Sequence, residues 1–254
     1  MDASIVVRDL TKSFGTVRAV DGLSFAVQAG TVTGFLGPNG SGKTTTLRMI
    51  LGLVAPDAGS ATIGGRPYAE SPRPADHVGA VLDSTGFHPA RSGRDHLRVY
   101  CTVHGYPEHR AAEVLEIVGL TAAAHRSVQG YSLGMRQRLA LAGALLGEPG
   151  ALVLDEPANG LDPEGMAWLR RLLRNLAAQG RAVLVSSHVL FELEQLVDHV
   201  VLIAGGRLVA AGSMPELVGR DQMVEVRSPH ATRLHDVLRD RAGPSARVDR
   251  TRVC

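Results

Sequence analysis

Short, continuous apolar runs recur along the chain, and most of them end at a glycine or at a polar or acidic residue. Thr31-Val32-Thr33-Gly34-Phe35-Leu36 stops at Gly37, Ala151-Leu152-Val153-Leu154 at Asp155, Ala182-Val183-Leu184-Val185 at Ser186, and Val200-Val201-Leu202-Ile203 forms a fourth. Runs of this length without alternation predict strands buried on both faces, as in a parallel sheet covered by helices. Between them the period changes. Lys43 to Gly52 places Leu47, Ile50 and Leu51 on one helical face. Pro163 to Ala178 and a segment near Val189 to Leu196 are likewise predicted helices. The first 65 residues read as strands, with Ser4 to Arg8 short and β-branched and Val17 to Val27 alternating around a predicted turn at Asp21-Gly22. Residues 86–148 form a mainly helical block. Asp95 to His104 and Glu108 to Val118 are separated by the breaker Gly105-Tyr106-Pro107, and a third helix is predicted from about Gly134 to Leu146. The pattern therefore predicts an α/β domain whose sheet is interrupted by a helical insertion. Beyond Met214 it weakens: Met223 to Arg227 fits a strand, and Leu234, Val237 and Leu238 fit one face of a helix.

Composition narrows this picture. The 254 residues carry 27 basic and 25 acidic side chains, a net charge of +2 with histidine neutral, which gives no concentrated basic excess for binding nucleic acid. Only two of the basic residues are lysines, Lys12 and Lys43; Lys12 is expected to be a solvated charge. The longest apolar stretch, Leu139 to Gly147, falls well short of the roughly 18 residues of a membrane span. Met1-Asp2-Ala3-Ser4 lacks the features of a signal peptide, so the expectation is a soluble cytoplasmic protein. Cys101 and Cys254 stand in no metal-ligand spacing and are expected to be free thiols.

Gly37-Pro38-Asn39-Gly40-Ser41-Gly42-Lys43-Thr44 satisfies G-x-x-x-x-G-K-[ST] and lies between a predicted strand and a predicted helix, the context that the motif requires. Its glycines let successive amides turn inward to phosphate oxygens, and the helix N-terminus adds a favourable dipole. Lys43 supplies a positive charge to the β and γ phosphates, and the Thr44 hydroxyl is a candidate magnesium ligand, with Thr45 beside it. A carboxylate on a neighbouring strand completes such a site. Asp155, at the carboxyl end of an apolar strand, is the candidate. Glu156 follows it and is placed to act as general base toward water.

Two further segments carry a resemblance to the nucleotide-binding subunits of ABC transporters, covering about residues 3–218. Tyr131-Ser132-Leu133-Gly134-Met135-Arg136-Gln137 resembles the family signature L-S-G-G-Q, matching at Ser132 and Gly134 and departing at Tyr131, Leu133 and Met135. Leu154-Asp155-Glu156-Pro157-Ala158-Asn159-Gly160-Leu161-Asp162-Pro163 is similar to the joined Walker B and D-loop, and Ser186-Ser187-His188 stands where the family has its switch histidine.

The resemblance implies a P-loop NTPase (RecA-like) fold: a mostly parallel sheet, an N-terminal antiparallel β subdomain and an inserted α-helical subdomain. It places an ABC ATP-binding domain at 1–218 and a C-terminal extension at 219–254. It implies ATP and Mg2+ as ligands, a second nucleotide-binding subunit in a head-to-tail homodimer, and a separate membrane permease that places the protein on the inner face of the membrane. Ser132, Gly134 and Asp162 would then face ATP held by the second copy, His188 would contact the γ phosphate, and Phe14 would stack on adenine.

One departure concerns Val78-Gly79-Ala80-Val81-Leu82-Asp83, where Asp83 replaces the family's glutamine near magnesium. With the altered signature and Gly86-Phe87-His88-Pro89, this is similar to the subgroup that exports antibiotics, lantibiotics and other hydrophobic peptides. Two alternatives stay open at this level: a non-transport ABC ATPase, and an ATP-binding regulatory subunit with little turnover.

Overall fold

A computed structural model describes residues 4–82, 86–189 and 195–218. Strands β1 (Ile5–Phe14), β2 (Val17–Val27) and β4 (Ala58–Ile63) form an antiparallel sheet in the order β2-β1-β4. The predicted turn at Asp21-Gly22 is not one. The chain reverses earlier, between the paired Phe14 and Val17, with Gly15 at φ 58°. β2 then runs straight through Gly22, whose φ of 61° and hydrogen bond to Thr11 Oγ1 (3.0 Å) are absorbed as irregular register against β1.

The second sheet has the order β5-β6-β7-β3-β8-β9, formed by β3 (Val32–Leu36), β5 (Val78–Val81), β6 (Ala151–Leu154), β7 (Ala182–Ser187), β8 (His199–Ala204) and β9 (Arg207–Ser213). All its pairings are parallel except β8 with β9. Every residue of β3, β6 and β7 is buried, which accounts for their unalternating apolar sequences. The two sheets meet through one core in which Phe25 of β2 stacks on Phe35 of β3 with ring centroids 5.2 Å apart.

The helices are α1 (Lys43–Ile50), α2 (Gly93–His104), α3 (His109–Ile117), α4 (Leu133–Leu145), α5 (Pro163–Ala178) and the short α6 (Met214–Val218). Their ends follow local chemistry. Ser92 caps α2 by accepting from Asp95 N, and Gly105 ends that helix at φ 71°. Asp162 caps α5, with Pro163 in its first turn. α2, α3 and α4 pack on one another, and α4 joins them to the large sheet where Gly79 of β5 abuts the Ala144 carbonyl with no room for a Cβ. Cys101 is a buried free thiol on α2, as expected.

Among the described residues, no helix is long and apolar enough to cross a membrane. Most of the predicted helix at Val189–Leu196, together with Asp83, Cys254 and the predicted elements beyond residue 218, lies outside the described residues.

Candidate nucleotide site

Strand order brings the candidate residues together. β6, β7 and β3 are consecutive neighbours, all parallel, so their carboxyl ends deliver Asp155, Ser186 and the glycine-rich loop to one edge of the sheet. The loop rests on its surroundings with little slack. A Cβ on Gly37 would strike the Ile203 carbonyl and the Ser41 hydroxyl, and one on Gly42 would strike the Ala19 carbonyl. Gly40 and Gly42 have φ of 78° and 100°, values that L side chains rarely adopt. Gly206 N donates to Ser41 O (3.1 Å) and Gly37 N to Ser187 O (3.4 Å), tying the loop to β7 and to the β8–β9 turn. Gly42 precedes α1 and supplies no side-chain cap, which leaves the first amides of the helix available to a ligand.

Lys43 is buried in spite of its charge. Its Nζ donates to the carbonyls of Gly37 (2.7 Å) and Pro38 (3.3 Å) and stands 3.6 Å from Glu156 Oε1. Thr44 Oγ1 donates to Asp155 Oδ2 at 2.7 Å. The other oxygen of Asp155 accepts from Ser186 Oγ, and the same hydroxyl accepts from Glu156 N at 2.9 Å. Glu156 has φ 48°, in the left-handed region, and its Oε2 lies 2.9 Å from His188 Nδ1. A non-glycine residue held there stores on the order of 1–3 kcal/mol that its surroundings must offset. Lys43, Glu156 and His188 thus form a continuous polar line, with Thr44 and Asp155 beside it. A cavity of about 260 Å³ opens along Asp155, Glu156, Asn159 and Gly160, and Leu133 and Gln137 of α4 form its far side.

The other sequence candidates lie around this centre. Phe14 is 52% exposed at the tip of β1, as a stacking platform must be. Lys12 departs from the expected free charge: its Nζ bonds Asp57 Oδ1 at 2.8 Å and lies 5.6 Å from the Phe14 ring centroid. Ser132 caps α4 by accepting from Met135 N (3.2 Å). Gly134 faces Leu161, and Leu133 reaches over Gly160, so signature and D-loop residues of one chain pack against each other. The Asp162 carboxylate is engaged in its own chain, accepting from Gly165 N at 2.7 Å. Ser186 was not singled out from the sequence; its signal was a hydroxyl ending an apolar strand two residues before His188.

The pocket chemistry suits a magnesium–triphosphate ligand. Ser41 Oγ is buried with no hydrogen-bond partner among the described residues, in a loop so closely seated that a Cβ at Gly37 would strike that hydroxyl. Thr44 and Asp155 present hard oxygen donors side by side. That suits Mg2+, which is commonly held by one or two protein oxygens with phosphates and water completing its octahedron.

The family model described as ABC transporter matches residues 20–159. The bacitracin transport ATP-binding protein BcrA of Bacillus licheniformis is 43% identical over 82% of this chain and 69% of its own length. The Nod factor export ATP-binding protein I of Burkholderia lata is 39% identical over 93% of this chain and 80% of its own. Among solved structures, an ATP-binding subunit of an ABC transporter aligns with TM-score 0.76 and 27% identity, covering 84% of this chain and 91% of that one. The chain belongs to the ABC transporter family, as an ATP-binding subunit whose hydrolysis of ATP powers transport.

Proposed function

We propose that residues 1–218 form the ATP-binding domain, with the helical subdomain at about 86–148, and that each sequence candidate acts at one composite site. Phe14 stacks on adenine. The backbone amides at the start of α1, from Gly42 to Thr45, and the Lys43 ammonium hold the phosphates within the Gly37–Thr44 loop, and Thr44 and Asp155 hold Mg2+, which when bound neutralises charge on the β and γ phosphates. Glu156 accepts a proton from the attacking water, and His188 orients Glu156 and contacts the γ phosphate. Ser132, Gly134 and Asp162 of a second copy close the site, so a homodimer holds two nucleotides. Asp83 is retained in this reading as a further oxygen ligand toward magnesium, directly or through water.

The observation that carries the reading is the joint placement of Thr44 on Asp155 and of Glu156 between Lys43 and His188. Phosphate release measured with purified protein and its membrane partner tests it. Turnover that Lys43→Ala abolishes is the expected result; no turnover in the wild type would return the chain to a regulatory role.

In this reading the transported compound is a drug, an antibiotic or a hydrophobic peptide moved outward; that two relatives are named for bacitracin transport and Nod factor export supports an exporter. The permease contact is assigned to the segment from Asp83 to Arg94. Gly86 and Phe87 of that segment border a second cavity of about 360 Å³, walled by His96, Tyr100 and Tyr106. Identifying the membrane protein that co-purifies with this chain tests both the partner and, through its substrate, the direction of transport.

A further inference from the structure

Ser186 is fully buried, yet its hydroxyl is used twice. It donates to Asp155 Oδ1 and accepts from the backbone N–H of Glu156 at 2.9 Å. Register explains the meeting. β6 and β7 are parallel with Leu154 opposite Val185, so Asp155, one residue past the end of β6, comes beside Ser186, which is still within β7 and paired with Phe35 of β3. The two bonds fix different things. With Oδ1 held by Ser186, Asp155 turns Oδ2 toward Thr44 Oγ1. With its amide held by the same oxygen, Glu156 keeps the left-handed φ of 48° from which its carboxylate reaches both Lys43 and His188. Neighbouring Ser187 touches neither acid: its hydroxyl accepts from Val189 N, 3.0 Å away.

We propose that Ser186 is a positioning residue for ATP hydrolysis, one hydroxyl that sets the rotamer of the metal-side carboxylate and the backbone of the general base together. This rests on the assignment of Asp155 and Glu156 above. Removing the hydroxyl leaves a buried N–H and a carboxylate oxygen each short of a partner, while the bonds that hold the phosphate loop itself, Gly37 N to Ser187 O, Gly206 N to Ser41 O and Lys43 Nζ to the Gly37 and Pro38 carbonyls, do not involve it. The consequence is selective: weaker use of Mg2+ and slower chemistry, with binding of metal-free nucleotide preserved. Outer-shell partners of metal ligands are worth about 10- to 100-fold in metal affinity or activity.

The test uses the full chain with its permease for turnover, and a fluorescent ATP analogue titrated with Mg2+ or in excess chelator for binding. Ser186→Ala is expected to raise the Mg2+ concentration at half-saturation about 10-fold or more and to lower kcat by a similar factor, with metal-free affinity within about threefold of wild type. Ser186→Cys, which keeps a small side chain of the same connectivity but weakens the hydrogen bonds, is expected to behave like Ser186→Ala. The proposal is overturned if Mg2+ dependence and kcat stay within twofold, if metal-free affinity falls in step with them, or if the cysteine variant matches wild type. Glu156→Gln in the same assays separates the two readings. Should it lose turnover while Ser186→Ala keeps it, only the role of Ser186 is wrong; should it keep full turnover, the assignment of Glu156 itself is wrong.

Discussion

Lys43 Nζ stands 3.6 Å from Glu156 Oε1, and the same ammonium donates to the carbonyls of Gly37 and Pro38. In this arrangement the lysine, 6% exposed, is satisfied by its own loop and by the acid that would activate water. In the proposed reaction a γ phosphate entering the loop would compete for that ammonium and so free Glu156 as the substrate arrives. Lys43→Ala therefore removes a phosphate contact and leaves Glu156 without its cation. Turnover is expected to fall about 100-fold or more, the scale of losing one preorganised charge-stabilising group. Steady-state phosphate release measures it; a loss under tenfold would mean that the lysine is not the phosphate anchor.

Glu156→Gln keeps the shape of the side chain and removes the base. Loss of a general base lowers turnover by about 10²–10⁴-fold, whereas ATP is still bound and its contacts to both copies persist. The expected result is a dimer that forms in MgATP and dissociates without it. Size-exclusion chromatography in the two conditions reads this out, and an unchanged monomer peak in MgATP would refute closure around nucleotide by Ser132 and Gly134 of a second copy.

The contrast between what the sequence disclosed and what it hid has a physical basis. Motifs built from contiguous residues, such as Gly37 to Thr44 and Asp155-Glu156, were legible because the chemistry sits in the local backbone. So were β6, α5 and the break at Gly105, each fixed by a buried run, by the Asp162-Pro163 cap or by a left-handed glycine. Long-range pairings were not legible. Ser186 meets Asp155 only because β6 and β7 are neighbours, and Lys12 meets Asp57 across 45 positions of sequence. The misplaced turn at Asp21-Gly22 has the same origin: a glycine with positive φ marks a turn or an irregular strand equally well, and the pairing of Phe14 with Val17 decides between them.

Lys12 and Phe14 extend the argument to the base. Asp57 accepts from Lys12 Nζ and from Ser13 N (2.7 Å), so the strand tip that presents Phe14 is anchored at the two residues before it. The Asp57 carboxyl is held below its ordinary pKa, first by the Lys12 hydrogen bond and then by the Ser13 amide. Phe14→Ala is expected to raise KM for ATP by about 5- to 100-fold, the range for loss of one base–aromatic stack. Lys12→Met is expected to raise it by only about 2- to 5-fold, the lower end of the range for a cation near a ring. Neither variant should change the affinity for inorganic tripolyphosphate, which has no base. Competition binding with tripolyphosphate checks this, and a parallel loss there would show that the loop, not the base contact, had been damaged.

His96 supplies a pH dependence that can be assigned to one side chain. It is 6% exposed on α2, packed edge-on to Phe87 (4.9 Å) and against Tyr100 (5.0 Å), and its Nδ1 has no hydrogen-bond partner among the described residues. Burial, with a smaller push from Arg91, lowers its pKa from 6.5 to about 4. The unfolded chain therefore binds a proton near pH 6.5 that the folded chain refuses until about pH 4. Stability from the neutral ring is complete above pH 6.5, declines as pH falls through that window, and is lost below about pH 4. The loss between pH 7 and pH 5 is about 2 kcal/mol. His96→Phe keeps a ring against Phe87 and Tyr100 and removes both the titration and the orphaned nitrogen. It is expected to match or exceed wild-type stability at pH 7 and to lose about 2 kcal/mol less than wild type on going to pH 5. Urea unfolding midpoints of the two proteins at both pH values measure the difference. Because the acids elsewhere titrate alike in both, parallel losses would place the acid sensitivity in groups other than His96.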